Sequence, residues 1–176
     1  MFNNASVNST MTYRVRLNGV AERTEVLHGI KDVLDTQMRF FSNARGRIDT
    51  CMEYTVHSAI GIEHIKKAFL DAKSRGARLR YLTEITIDNI SYCKILRKIV
   101  DELRHLDGMK GNFMISESEY LAPAVLEEEE GKIASQLIYS NVDQIVEKHQ
   151  CLILYGVRQY HLNRELERLT RAYKLK

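Results

Sequence analysis

Several β-branched runs in this sequence end in acidic, amide and hydroxyl residues whose types suit the binding of a small ligand. These residues follow or end the runs at 78–86, 112–117 and 132–139. The candidate set is Glu84, Asp88, Asn89, Ser116, Glu117, Tyr139 and Asn141. Such groups suit a small cationic or polyhydroxyl ligand. A phosphate would call for a glycine-rich loop, which the sequence lacks.

Other kinds of chemistry find little support in the residue spacing. The histidines show neither an HExxH motif nor paired i, i+4 spacing, so no metal site is expected. No serine or cysteine combines with a histidine and an acid in a nucleophile motif. His105 ends the string DELRH, where we expect the last turn of a helix and an imidazole that complements the helix dipole. We therefore predict no catalytic residue, no metal and no cofactor.

Alternating helices and strands must position the candidate residues. Apolar residues at intervals of three and four predict helices, and period-two alternation predicts strands. The predicted helices cover 23–41, 62–75, about 88–106 and a segment from 142 onwards, and the predicted strands cover 47–54, 78–86, 112–117 and 132–139. Gly76 supplies the stop after the second helix. This order predicts an α/β domain, with a layered, largely parallel or mixed sheet flanked by helices.

Ligands in open α/β sheets bind outside the carboxyl ends of the strands. If the predicted strands end at one edge, the candidate residues converge there on a polar rim. The alternative is that some of these polar residues only cap helices, namely Asp88, Asn89, Ser140 and Asn141, while Glu117 and Glu119 are only solvated. The sequence leaves both interpretations open.

Composition indicates a globular domain with tails. The chain has 176 residues, of which 44% are hydrophobic and 28% are charged, and its net charge is +3. So small a charge predicts no nucleic-acid partner. No apolar run is long enough to span a bilayer, so we expect no membrane partner and a cytoplasmic location. We expect a flexible arm at 1–18, the α/β domain at 19–150 and a tail at 151–176.

Long strings of this sequence carry a family resemblance. They include RTEVLHG at 23–29, FFSNARGRIDTCMEYT at 40–55, AIGIEHIKKAFLDAKSRGARLRYLTEIT at 59–86 and SQLIYSNVDQIVEKHQ at 135–150. Together with DNISYCK at 88–94 and IVDELRHLDGMKGNFMISESEYLA at 99–122, they resemble the N-terminal sensor region of archaeal sensor histidine kinases. That region is similar to non-catalytic phospholipase-D-like domains and to effector domains of archaeal sugar-responsive transcription regulators. The resemblance implies half of a phospholipase-D-like fold.

The chain departs from the catalytic members of these families. A phospholipase-D-like enzyme needs a histidine nucleophile, a lysine two residues later and an aspartate further on. The equivalent segment, NFMISESEY at 112–120, contains neither histidine nor lysine. Without an imidazole, no phosphohistidine can form. The chain also lacks an ATP-binding domain, so we expect a protein that is not an enzyme.

The tail at 151–176 matches none of the strings expected after residue 150. A shifted reading of its possible codons permits the family's continuation, and we therefore hypothesise that this tail is out of frame. The nucleotide sequence decides this. The competing interpretation is a genuine amphipathic helix at 165–173, with Leu166 and Leu169 on one side.

The resemblance implies a cytosolic signal-input domain of the two-component histidine kinase type, lacking the kinase. An unknown small-molecule ligand at the rim would shift the helix from 142 onwards. A homodimer and a histidine kinase or response regulator pathway are the implied partners. One alternative is a phospholipase-D-like phosphodiesterase, which would need His57 or His105 beside Lys110 in a cleft. Another is the effector domain of an archaeal transcription regulator.

Overall fold

The computed structural model describes residues 15–17, 20–53, 63–124 and 136–158. Strands and helices alternate along most of this length. In chain order they are β1 (Val15–Leu17), β2 (Val20–Glu22), β3 (Thr24–His28), α1 (Ile30–Asn43), β4 (Arg47–Cys51), α2 (Glu63–Ser74), β5 (Arg78–Thr83), α3 (Ile90–Ile99), β6 (Glu102–His105), β7 (Phe113–Ile115), β8 (Tyr120–Ala124), β9 (Gln136–Ser140) and α4 (Asp143–Arg158).

The domain contains a seven-stranded mixed sheet with the strand order β3-β9-β8-β7-β4-β5-β6. β4, β5 and β6 are parallel, whereas β7, β8, β9 and β3 join antiparallel, each to the one before. Consequently β3, β4, β5, β6 and β8 all end at one edge of the sheet, which we call the carboxyl edge. β7 and β9 end at the opposite edge, which we call the amino edge.

Helices cover both faces of the sheet. On the first face, α1, α2 and α3 bury Phe40, Phe69 and Leu96 in a core shared with Leu79 and Leu121 of the strands. On the second face, α4 buries Val146 and Ile153 against a cluster that includes Cys51, Leu82 and Ile115. Successive strand residues point to opposite faces. The α/β class, with a mixed sheet flanked by helices, is therefore confirmed.

The strongest local patterns agree with the structure. The predicted strands at 47–54, 78–86 and 112–117 contain β4, β5 and β7, and the predicted helix at 62–75 contains α2. Gly76 has φ 96°, a backbone conformation that favours glycine, and its N–H donates to Lys73 O at 2.9 Å. The strand predicted at 132–139 contains most of β9, with residues 132–135 outside the described part.

The predicted helix at 23–41 is wrong in its first half. Residues 24–28 form β3, which pairs with β9 from Thr24↔Ser140 to His28↔Gln136. Gly29, with φ 93°, then separates this strand from α1. Val26, which lies in the predicted helix, is 52% exposed on the strand. Five ladder pairs with β9 thus outweigh the helical spacing of the apolar residues.

The predicted helix at 88–106 is also too long. Val100 has an extended backbone, and the Asp101 N–H donates to Leu79 O at 2.9 Å, which starts the pairing of β6 with β5. His105 therefore ends a strand and is buried, so its expected place in the last helical turn is wrong.

Strand β8 was not predicted at all; Pro123 within it weakens the strand pattern.

The expected tails fall only partly within the described residues. Val15–Leu17, in the predicted arm, forms β1 and pairs with β2. Helix α4 continues past residue 150 to Arg158, and Ile153 in this extension is buried. Residues 159–176 lie outside the described part, so the out-of-frame hypothesis stays a prediction.

Candidate functional site

The structure divides the predicted polar rim between two opposite edges of the sheet. Glu84, Asp88 and Asn89 follow β5 at the carboxyl edge. Ser116, Glu117, Tyr139 and Asn141 lie at the amino edge, where the antiparallel strands β7 and β9 end. The prediction of one common rim is therefore wrong, because β7 and β9 run opposite to β5. Each edge must be considered separately as a binding site.

At the carboxyl edge, Asn89 is used to build the loop between β5 and α3. Its Oδ1 accepts the Thr86 N–H at 2.8 Å, and its Nδ2 donates to Glu84 O at 2.8 Å. The side chain is 2% exposed and makes no cap hydrogen bond to α3. Asn89 thus holds the loop that carries Glu84 and the exposed Asp88.

His105 stabilises the same loop from the end of β6. Its Nδ1 accepts the Ile85 N–H at 2.8 Å, and its Nε2 lies 2.7 Å from Asp107 Oδ1. A ring nitrogen that accepts an N–H carries no proton, so the proton of the neutral ring is on Nε2 and points at Asp107. The ring is 4% exposed. Both imidazole nitrogens are therefore engaged inside the fold.

Lys110 and Asn112 complete the carboxyl edge. Lys110 Nζ donates to Glu53 Oε1 at 3.2 Å, and Asn112 Oδ1 accepts the Glu53 N–H at 3.0 Å. Lys110 is therefore paired with a carboxylate at the end of β4, while His105 is paired with Ile85 and Asp107. His57 lies outside the described residues. The cleft required by the phosphodiesterase alternative is not formed by His105 and Lys110.

At the amino edge, Tyr139 and Glu119 form a buried pair. The Tyr139 hydroxyl donates to Glu119 Oε1 at 2.9 Å, and Asn43 Nδ2 donates to Glu119 Oε2 at 3.4 Å. Burial, together with the Glu119 carboxylate, raises the pKa of Tyr139 to about 12. The guanidinium groups of Arg23 and Arg39 lie 5.3 and 5.4 Å from the centre of its ring. Tyr139 therefore stays a neutral donor.

Glu117 is held in a cradle of backbone amides. Its carboxylate accepts the N–H groups of Arg45 at 2.7 Å, Gly46 at 3.3 Å and Arg47 at 3.4 Å. Burial alone would raise the pKa of Glu117, but hydrogen bonds from these amides outweigh that effect and hold the pKa below its usual value. Ser116 Oγ accepts the N–H groups of Ser118 and Glu119, which forms the tight turn between β7 and β8.

Contacts at the amino edge also anchor the final helix. Asn141 Oδ1 accepts the Arg23 N–H at 2.6 Å, and Ser140 Oγ accepts the Val142 N–H at 3.2 Å just before α4. From the second turn of α4, Gln150 Nε2 donates to Ser116 O at 2.8 Å. The turn between β7 and β8 is thus connected directly to α4.

Arg23 and Arg39 were not considered from the sequence for either edge. Glu119 was considered only as one of the polar residues after the third predicted strand, and His105 only for the phosphodiesterase alternative. Glu119 is an acid in a run of polar residues, and nothing in its spacing marks it as buried. His105 was assigned to a helix. The signal that could have identified it is the alternation of Leu103 and His105 with Glu102 and Arg104.

Neither edge carries an arrangement typical of a metal centre. Within the described ranges, no group of three or more His, Cys, Asp or Glu side chains is placed to hold a metal ion. Across the same ranges, no helix has the length and apolar character needed to cross a bilayer.

The domain is similar in fold to three solved structures. TrmBL2, an archaeal chromatin protein with a novel mode of DNA binding, matches with a TM-score of 0.55 and 18% identity, over 80% of this chain and 54% of that one. NucT from Helicobacter pylori matches with a TM-score of 0.63 and 12% identity, over 79% and 98% of the two chains. Nuc from Salmonella typhimurium, a phospholipase D family member, matches with a TM-score of 0.59 and 15% identity, over 80% and 97%.

These comparisons support the phospholipase-D-like part of the resemblance. No protein-family model and no curated protein matches the chain. At identities of 12 to 18% the structural matches show the fold, which is phospholipase-D-like. They lend no support to the sensor-kinase part of the resemblance. The chain spans about half the length of TrmBL2, at 54%.

The predicted exclusion of a nucleic-acid partner is wrong. It was drawn from the small net charge alone, yet TrmBL2, whose fold is similar over 80% of this chain, binds DNA. Net charge averages over a whole surface and says little about a local one. A protein of similar fold therefore binds DNA, and net charge alone does not exclude such a partner.

Proposed function

We propose that this phospholipase-D-like domain acts by binding and not by hydrolysis, as the signal-input domain of a cytoplasmic two-component sensor of the histidine kinase type. The observation that carries the proposal is the segment at 112–120, which contains neither histidine nor lysine. Its polar side chains at Asn112, Ser116, Glu117 and Glu119 are all tied into the fold by hydrogen bonds.

Hydrolysis through a phosphohistidine would require an imidazole able to reach phosphorus. His105 is buried and engaged through both ring nitrogens. The ring of His149 packs on Tyr120, with centroids 4.4 Å apart, and its Nδ1 donates to Ile145 O at 2.8 Å. These two described imidazoles therefore support structural roles.

An output path is available through α4. Gln150 joins this helix to Ser116 in the turn between β7 and β8, and Ser140 joins the start of the helix to β9. A ligand that favours a different arrangement of this turn would also favour a different position of α4. In an intact sensor, that shift would be passed to the following domain.

A phosphodiesterase assay tests the non-catalytic part of the proposal. We expect purified protein to hydrolyse bis(p-nitrophenyl) phosphate no faster than a heat-denatured sample. His149→Gln is the matched control, because it removes the less buried of these two imidazoles. Turnover by the unmodified chain above that of the heat-denatured sample would refute the proposal, and its loss in His149→Gln would identify His149 as the group responsible.

A second candidate function is the effector domain of a transcription regulator. The similarity to TrmBL2, of which the chain spans 54%, favours this candidate. Here the DNA-binding part would be on another domain or chain. The neighbouring genes distinguish the two candidates, since a kinase or response regulator supports the first and a DNA-binding protein supports the second.

A further inference from the structure

A cavity in the helical layer is used by neither edge of the sheet. It has a volume of about 380 Å³ and lies between α1 and α2. It is lined by Met38, Phe41, Ser42, Lys67, Ala68, Asp71 and Arg75. Sites for small molecules commonly have volumes of about 300 to 1,000 Å³. The cavity is therefore large enough for a small ligand.

The apolar part of the lining is firmly supported by the core. Phe41 is 1% exposed, and its ring lies 4.8 Å from the ring of Phe69 on α2. Met38 and Ala68 are half-buried and pack against the same core. An alkyl or aryl group placed on these side chains would lose water-accessible apolar surface, which favours binding.

The charged part of the lining comes from α2 and the turn that follows it. Lys67 and Asp71 lie four residues apart on α2, and Arg75 follows four residues later in the turn directly after the helix, so the three form one charged row along the cavity. Two cations and one carboxylate leave an excess of one positive charge. The row therefore suits a ligand with one negative charge, and Asp71 disfavours a second one.

Arg75 is held in position at this site. Its Nη2 donates to Phe41 O, at the C-terminal end of α1, at 2.7 Å. This bond uses one of the five N–H donors of a planar guanidinium group, and such a group binds carboxylates through paired donors. Fixing the side chain in advance reduces the entropy that binding would otherwise lose.

We propose that the α1–α2 cavity binds a small amphipathic monocarboxylate. Its apolar chain lies on Met38, Phe41 and Ala68, and its carboxylate contacts Arg75 and Lys67. The inference goes beyond the proposed function, because this site would bind such a ligand whether or not the domain serves as a signal input.

Octanoate is a suitable probe, and its binding can be located by amide chemical shifts in ¹H–¹⁵N spectra of the full chain. We expect millimolar octanoate to shift mainly the amides of 38–42 and 67–75. Octanol should bind more weakly, and octylammonium should bind more weakly still. Absence of shifts, shifts centred on either sheet edge, or equal binding of octylammonium would overturn the proposal.

Two variants test the two halves of the site. Arg75→Gln should weaken octanoate binding by about tenfold or more, because a charged hydrogen bond is lost. Ala68→Met should weaken it by filling the cavity while leaving the charges unchanged. Lys110→Gln, at the carboxyl edge, is the matched control and should bind octanoate as the parent does. Unchanged affinity in both test variants would refute the site, whereas the phosphodiesterase assay would be unaffected.

Discussion

Asp49 on β4 offers a sharp test of how buried charge stabilises the second face of the sheet. The residue is 1% exposed. Its Oδ1 accepts a hydrogen bond from Arg80 Nε at 2.5 Å, and its Oδ2 accepts one from Arg80 Nη2 at 2.7 Å. Arg47 Nε lies 2.8 Å from the same Oδ2. The hydrogen bond that Arg80 donates to Asp49 is the main cause that raises the pKa of Arg80. One carboxylate thus compensates two guanidinium groups.

Replacing Asp49 with alanine leaves Arg80, whose side chain is 12% exposed, without its carboxylate. Removing one partner of a buried ion pair typically costs about 3–5 kcal/mol, because the other charge stays buried. Domains of this kind are stable by only about 5–15 kcal/mol in total, so the loss should be large. Arg78→Ala is the matched control: Arg78 pairs with Glu102 on the same face but is 62% exposed, and exposed pairs contribute about 0–1 kcal/mol.

Urea unfolding followed by circular dichroism measures both variants. We expect a much lower midpoint for Asp49→Ala with an unchanged slope, and little change for Arg78→Ala. The double variant Asp49→Ala/Arg80→Ala should be less destabilised than the two single losses added together. Similar midpoints for Asp49→Ala and Arg78→Ala would refute the reasoning that burial decides the magnitude.

Further predictions concern a carboxylate, the thiols and a turn. The pKa of Glu117 is lowered in the folded state, so its stabilising contribution is present above its ordinary pKa of 4.5 and is lost as the pH falls through the folded value. Glu117→Gln should therefore flatten the pH dependence of the melting temperature in that window. An unchanged pH profile would contradict the hydrogen bonds from the backbone amides to Glu117. Burial raises the pKa of Cys51 to about 12 and of Cys93 to about 11, whereas Cys151 is exposed. At pH 8 a thiol reagent should therefore modify one cysteine rapidly, a phase that Cys151→Ser removes; rapid modification of two or more cysteines would be inconsistent with this burial. Gly76→Ala should destabilise the fold by about 1–2 kcal/mol because φ is 96° there, as measured by urea unfolding, and a neutral effect would mean that the turn can relax.

Local sequence patterns were enough to predict an element where one kind of periodicity dominated the segment. The alternation in β4 and β5 and the apolar spacing of α2 identify these elements, and Gly76 marks the turn between α2 and β5. The patterns were not sufficient at β3 and β6. Both are short strands whose pairing with β9 and β5 supplies the hydrogen bonds, and partners distant in the sequence leave no mark on local spacing.

The sequence by itself determined the α/β class, four of the nine strands in the described part (β4, β5, β7 and β9) and the absence of histidine and lysine from the segment at 112–120. Only the tertiary structure decided which polar residues share an edge. The alternation of apolar and polar residues is the same in a strand of either direction. Glu84 and Glu117 therefore looked equivalent in the sequence, although they lie at opposite edges of the sheet. The direction of each strand depends on which neighbour it pairs with, and that choice is made by packing across the whole sheet.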